Sequence, residues 1–172
     1  MIQTVSAAPS GEFQWNWGDT GTTEGTVTFS FTATQGSLAE STKTNFDIVV
    51  DGQGPYLQSL SARADTILGV APTIQVNFNE AINVGNLTLF TTPGFWAVSF
   101  LPAANGSFIV TNVALSADGE SVTLTGRPLF DYMLQGTQVT VLFGWVALMQ
   151  VEDDAENLFN ATLNFTTGIV IP

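Results

Sequence analysis

Apolar and polar residues alternate most clearly between Pro72 and Ile82. There Ile74, Val76 and Phe78 are interleaved with Gln75, Asn77 and Asn79. A period of two sends one row of side chains to each face of a strand. One face is therefore apolar and the other is coated with amides, as in a strand with a core on one side and water on the other. Pro72 stands just before it, where no ladder donor is needed. Ala161 to Thr167 repeats the alternation and is expected to close against it, with Phe165 inward.

The same pattern recurs along the chain. Ile2 to Val5 reads as a short strand. Phe13, Trp15 and Trp17 alternate with Gln14 and Asn16, placing three rings on one face. Thr26 to Ala33 puts Val27, Phe29 and Phe31 on one side; Asn45 to Val50 does so with Phe46, Ile48 and Val50. The two form an antiparallel pair around Gln35-Gly36-Ser37. Asp51-Gly52-Gln53-Gly54-Pro55 then reads as a linker. Tyr56 to Ala62 is a strand and residues 63–71 are a loop. Asn86 to Phe90 is a short strand ending at the turn Thr91 to Gly94. Phe95 to Phe100 and Ser107 to Leu115 pair around Asn105-Gly106, a hairpin signal. Ala117-Asp118-Gly119 is another turn, and Glu120 to Thr125 follows with Val122 and Leu124 inward. Thr137 to Phe143 is a strand that Trp145 to Met149 continues after a bend at Gly144. A helical period holds for two turns nowhere except near Phe130 to Leu134. Short strands about ten residues apart, with turn residues between them, make an all-β sandwich.

Several of these stretches together resemble the bacterial Ig-like domains of the S-layer A type, found in S-layer and other large surface proteins. The resemblance covers Pro55 to Thr167. It is carried, in order, by Pro72 to Ile82, by Ala117-Asp-Gly-Glu-Ser-Val-Thr-Leu124, by Pro128-Leu129 with Gly136-Thr-Gln-Val-Thr-Val141, and by Asp154-Ala-Glu-Asn157 with Asn164-Phe-Thr-Thr167. Glu156 stands where the family has Gly, so a different backbone turn is expected there. The stretch from Phe95 to Val113 is longer than in the family, which implies an inserted hairpin. Glu24 to Pro55 resembles the closing half of a related adhesin-type repeat. The implied fold is an Ig-like antiparallel β-sandwich over 56–168, preceded by a partial Ig-like β unit over 1–51. Residues 52–55 are the linker, and 169–172 are a tail or the start of the next linker. Either the chain is cut from a longer tandem array, or residues 1–50 lean on something else.

Charge narrows the partners. Of 172 residues only 10% are charged, against about a quarter in ordinary domains, and the net charge is −12. Such a chain repels phosphate backbones and anionic membrane surfaces. No stretch approaches 18 apolar residues in a row, so membrane insertion is not expected. Met1-Ile-Gln-Thr has neither a basic nor an apolar leader region, so a signal peptide is absent or already removed. The acid has two readings: it keeps a β-rich surface soluble, or it holds cations, calcium above all. With no Cys and no His, there is no disulfide, no thiolate metal site and no imidazole base. No nucleophile–base set is recognisable, and enzymatic activity is not expected.

The candidate calcium ligands are Glu152, Asp153, Asp154 and Asn157 in one acidic loop, with Asp51 from the linker and Glu80 after the 72–82 strand. The competing reading is a solvated acidic loop. Trp15, Trp17 and Trp96 are candidate platforms for sugar rings, against a reading as core aromatics. Asn86, Asn105, Asn160 and Asn164 begin glycosylation sequons. The leading expectation is a non-enzymatic module of an extracellular or cell-surface protein, partnered by neighbouring Ig-like domains or copies of itself. A carbohydrate-binding sandwich is the alternative.

Overall fold

The computed structural model describes residues 25–32, 43–63, 71–102, 107–128 and 135–172. The expected strands at Ile2–Val5 and Phe13–Trp17, the Asn105-Gly106 turn and the helical stretch at 130–134 lie outside these residues. The chain divides into two units, Met1–Gly52 and Gln53–Pro172.

In the first unit, β1 (Gly25–Phe31) pairs antiparallel with β2 (Thr44–Val50). Val27 faces Ile48 and Phe29 faces Phe46, so the apolar rows of both strands share one side. The Phe29 and Phe46 rings stack with centroids 5.2 Å apart. On the other side, the Thr28 hydroxyl donates to Asp47 and that of Ser30 to Asn45.

The second unit is all-β. Its main strands are β3 (Leu57–Arg63), β4 (Thr73–Phe78), β6 (Trp96–Leu101), β7 (Ser107–Leu115), β8 (Ser121–Pro128), β9 (Gln138–Phe143) and β11 (Phe165–Ile171). They hydrogen-bond in the order β11-β3-β4-β8-β7-β6-β9, and the order returns to its start, so the two layers of the sandwich join into a closed barrel. Every pairing is antiparallel except β11 with β3, which is parallel. Two short strands, β5 (Asn83–Val84) and β10 (Val151–Glu152), form a separate ladder. β6 and β7 belong to the ring, so the long stretch from Phe95 to Val113 supplies barrel strands.

The alternating residues fill the barrel. Ile74, Val76, Phe78, Val122, Leu124, Val139 and Val141 are all buried in one core with Trp96, Phe143 and Phe159. An aromatic cluster anchors one end. Trp96 stacks on Phe143 with centroids 4.3 Å apart, and Phe90 meets both rings edge-on. The Asp118-Gly119 turn links β7 to β8 as expected. Gly119 has φ +73°, and a Cβ there would stand 2.7 Å from the Ile82 carbonyl oxygen.

Five expectations fail, each for a local reason. β4 lies between β3 and β8, not beside the final strand; alternation fixes which face is buried but not which strand is the neighbour. Leu87–Phe90 is a helical turn, α1, rather than a strand. Its Asn86 side chain accepts the Leu89 N–H, and the turn carries Phe90 into the core while Leu87 stays exposed. Trp145 to Met149 does not continue β9; it runs into a 3-10 turn over Ala147–Met149. The last strand is out of phase. A 3-10 turn at Ala161–Leu163 precedes it, so Thr166 and Val170 point inward and Phe165 is 53% exposed. The strand also runs to Ile171, with Val170 opposite Ala62, so residues 169–171 are part of the barrel and not a tail. Phe165→Ala should therefore cost less than about 1 kcal/mol, well below a core Phe deletion. A urea midpoint shift as large as that of a buried Phe would place this ring back in the core.

Candidate functional site

The acidic loop hangs from β10. Glu152 bridges to Leu158, and the chain between them folds back on itself. Asp153 is the centre of this turn and is only 3% exposed. Its Oδ1 accepts the backbone N–H of Ala155 at 2.7 Å and that of Asn157 at 2.9 Å. Its Oδ2 accepts from Asn157 Nδ2 at 2.9 Å. The backbone closes the same turn, with Asp153 N donating to Asn157 O and Glu156 N to Asp153 O. An Asp side chain that caps the N–H groups following it is the usual way this residue builds a turn. Glu156 has φ 65°. Glu156 thus adopts the left-handed backbone that glycine favours.

Glu80 reaches this loop from the end of β4. One of its carboxylate oxygens lies within 4.8 Å of one from Asp153. Its Oε1 accepts from Asn79 Nδ2 at 2.6 Å. Asn79 is fixed in turn, since its Oδ1 accepts the Tyr56 N–H and its own N–H donates to the Tyr56 carbonyl. The segment around Tyr56 is seated tightly: Pro55 O accepts the Asn160 N–H, and a Cβ on Gly54 would fall 1.8 Å from the Leu158 carbonyl oxygen. Glycine at 54 is required by that close approach.

The structure thus places the candidate ligands in different local settings. Glu80 and Asp153 come together. Asn157 directs its amide at Asp153. Asp154 is exposed and accepts from Asn83 Nδ2 at 2.8 Å. Glu152 is half-buried in the β10 ladder. Asp51 is exposed near the end of the first unit. A carboxylate has about four acceptor positions, and loop hydrogen bonds occupy three of those on Asp153. Sequence reasoning found the acid but not its clasp role, although Asp followed by Asn four residues later was a usable signal for a side-chain-capped turn.

Of the sugar platforms, Trp15 and Trp17 lie outside the described residues. Trp96 is 4% exposed, with its indole stacked on Phe143 and its Nε1–H donating to the Phe90 carbonyl at 3.0 Å. Its ring faces pack on protein, and it is a core aromatic. A polar depression lies on the outer side of β3, β4 and β8, lined by Gln75, Asn77, Ser121, Glu80, Asp118 and Glu120 among others. Its side chains largely bond one another: Asn77 donates to Ser59 and Gln75 to Ser121. At its edge, the Asp118 carboxyl is held below the usual range by hydrogen bonds from the Ser116 hydroxyl and the Glu120 N–H. No helix among the described residues is long and apolar enough to cross a membrane.

No protein-family model matches the chain, and no curated protein does. Solved structures do. The S-layer protein rSbsC(31-844) aligns with a TM-score of 0.45 and 18% identity over 66% of this chain and 13% of its own. The N-terminal part of the bacterial S-layer protein SbsC aligns with a TM-score of 0.46 and 16% identity, over 69% of this chain and 24% of its own. Domains 1-6 of the surface layer protein SbsC give 0.45 and 17%, over 67% and 14%. The chain therefore spans no more than 24% of any of these three.

Proposed function

We propose that the chain is a non-enzymatic structural module of an extracellular surface protein. In this reading it joins neighbouring Ig-like domains or copies of itself in a tandem array, layer or fibre, and calcium stabilises it. The observation that supports assembly is the apolar side of the β1–β2 ribbon, where Phe46 is 43% and Ile48 39% exposed. Solvent-exposed apolar side chains on one side of a strand pair mark an interaction surface. A copy that covers this face with a different part of itself makes a heterologous contact, and such contacts propagate.

The calcium part rests on the approach of Glu80 to Asp153. Two carboxylates at this separation repel, and a cation beside them removes the repulsion while gaining oxygen ligands. Asp51, Glu152, Asp154 and Asn157 stay proposed as further ligands or as outer partners. One set of measurements on the full chain checks both parts. Light scattering should show mass rising with concentration, and electron microscopy should show fibres or sheets. Phe46→Lys combined with Ile48→Lys should suppress both. Millimolar calcium should raise the melting temperature by about 3–6 °C, if binding has the weak affinity of extracellular modules. Glu80→Gln keeps the Oε1 acceptor for Asn79 and should abolish the shift. A chain that stays monomeric at high concentration sinks the assembly reading, and melting curves indifferent to calcium and chelator sink the metal.

A further inference from the structure

The outer side of three barrel strands is unlike the rest of this acidic chain. β6, β9 and β11 contain no charged residue. The register sets their outward residues in rows. Phe165 lies beside Leu142, and Leu142 beside Ala97; Thr167, Thr140 and Ser99 follow; then Ile169, Gln138 and Leu101. An apolar row and a row of two apolar residues around Gln138 thus flank a row of hydroxyls. The apolar members are open to solvent: Leu101 and Ile169 are each more than half exposed, as is Phe165, and Leu142 is 43% exposed. The opposite outer side, on β3, β4 and β8, carries amides and hydroxyls with the carboxylates of Glu80, Asp118 and Glu120 at its edge.

We propose that the β6–β9–β11 face is a self-association surface that packs against the same face of a second copy, sheet on sheet about a two-fold axis. This rests on the assembly reading and adds a second contact to it, separate from the β1–β2 ribbon. Charge selects the occupant. Two copies at −12 each repel wherever their acid meets, and this uncharged face is where they approach with the least Coulomb cost. Two like faces that are apolar and hydroxyl-striped satisfy each other without leaving a buried charge. Twisted sheets stack face to face about 10 Å apart with their strands roughly aligned.

Area sets the strength. Three strands at about 4.8 Å spacing, five residues long at about 3.3 Å each, offer roughly 240 Å² per copy. The total of about 480 Å² is below the ~1,200 Å² of a stable standard complex. A single contact is therefore weak and transient, and it gains strength only when other contacts hold the copies together. An isologous contact closes on itself. Combined with a propagating contact elsewhere, it joins fibres side by side or turns a row into a layer.

The absence of cysteine makes the test clean. Thr140 is at the middle of the face. Thr140→Cys in the full chain, treated with a bis-maleimide of about 10 Å reach to match the sheet spacing, should give a covalent dimer. Gln75→Cys, on the amide side of β4, should give none. Circular dichroism confirms that both variants fold. Adding Leu142→Lys to Thr140→Cys should lower the dimer yield about tenfold or more, since each lysine brings a charge into a contact that offers it no partner. Raised salt should leave the yield intact or increase it, because screening weakens only the acid repulsion. Equal yields at 140 and 75, no dimer at 140, or a monomer that floats with phosphatidylcholine vesicles through this face would each overturn the proposal. If the chain still forms fibres while Thr140→Cys fails to cross-link, this contact is wrong and the assembly reading stands. If neither occurs, both fall.

Discussion

Phe143→Ala should lower stability by about 3–5 kcal/mol, the cost of deleting a large ring from a packed core. The ring is fully buried and holds four elements at once. It stacks on Trp96 of β6, meets Phe90 of α1 edge-on at 5.4 Å, and meets Phe159, beyond the acidic loop, edge-on at 5.3 Å. Alanine leaves the backbone intact, so the Asn164 amide still donates to the carbonyl of residue 143 and the N–H of 143 to the Asn164 carbonyl. The loss is then one of transfer free energy, ring contacts and an unfilled cavity. Phe143→Leu keeps more of the volume and should cost clearly less. For a chain of this length, each kcal/mol moves the melting temperature by about 2–4 °C, so the alanine variant should melt roughly 6–20 °C lower. A loss below 1 kcal/mol would mean that these four elements do not share one core.

What the sequence revealed and what it hid differ in kind. Ile74, Val76 and Phe78, Val122 and Leu124, and Val139 and Val141 were legible because each alternates within its own strand, and the structure buries every one. Such a pattern reports burial of a face. It does not report the neighbour, and for that reason the partner of β4 was misassigned. Phase was lost where a short irregular turn intervened: the 3-10 turn at Ala161–Leu163 rotates the following strand, so Thr166 takes the inward place that Phe165 suggested. Leu87–Phe90 alternates as a strand does, and only the Asn86 cap with the Thr91 and Thr92 hydroxyls, which bond carbonyls of the preceding turn, makes it helical. The candidate site shows the same limit. Clustered carboxylates are plain in sequence, but whether one of them serves the backbone or a cation depends on where the N–H groups point. The outward rows of β6, β9 and β11 became visible only once the register was known.

Asp153 is where those two uses of a carboxylate separate. Asp153→Ala should cost about 2–4 kcal/mol, because the part-buried bonds from the N–H groups of Ala155 and Asn157 lose a charged acceptor, and a hydrogen bond to a charged group is worth about 1.5–3 kcal/mol. Asp153→Asn keeps an amide oxygen that can accept the same two N–H groups as Oδ1 does. It sets an NH₂ against Asn157 Nδ2, where Oδ2 now accepts, and it gives up the charge that strengthens all three bonds. Its cost should therefore be smaller than that of alanine, about 1–2 kcal/mol. Urea titration in chelator measures this clasp role alone. Repeating it in millimolar calcium adds the metal role: the native chain should gain stability, while Asp153→Asn should gain little, as a neutral amide is a poorer calcium ligand than a carboxylate. If asparagine costs as much as alanine in chelator, the hydrogen-bond account of the loop is wrong. If Asp153→Asn gains as much from calcium as the native chain, the ion is held elsewhere, and Asp153 serves the fold alone.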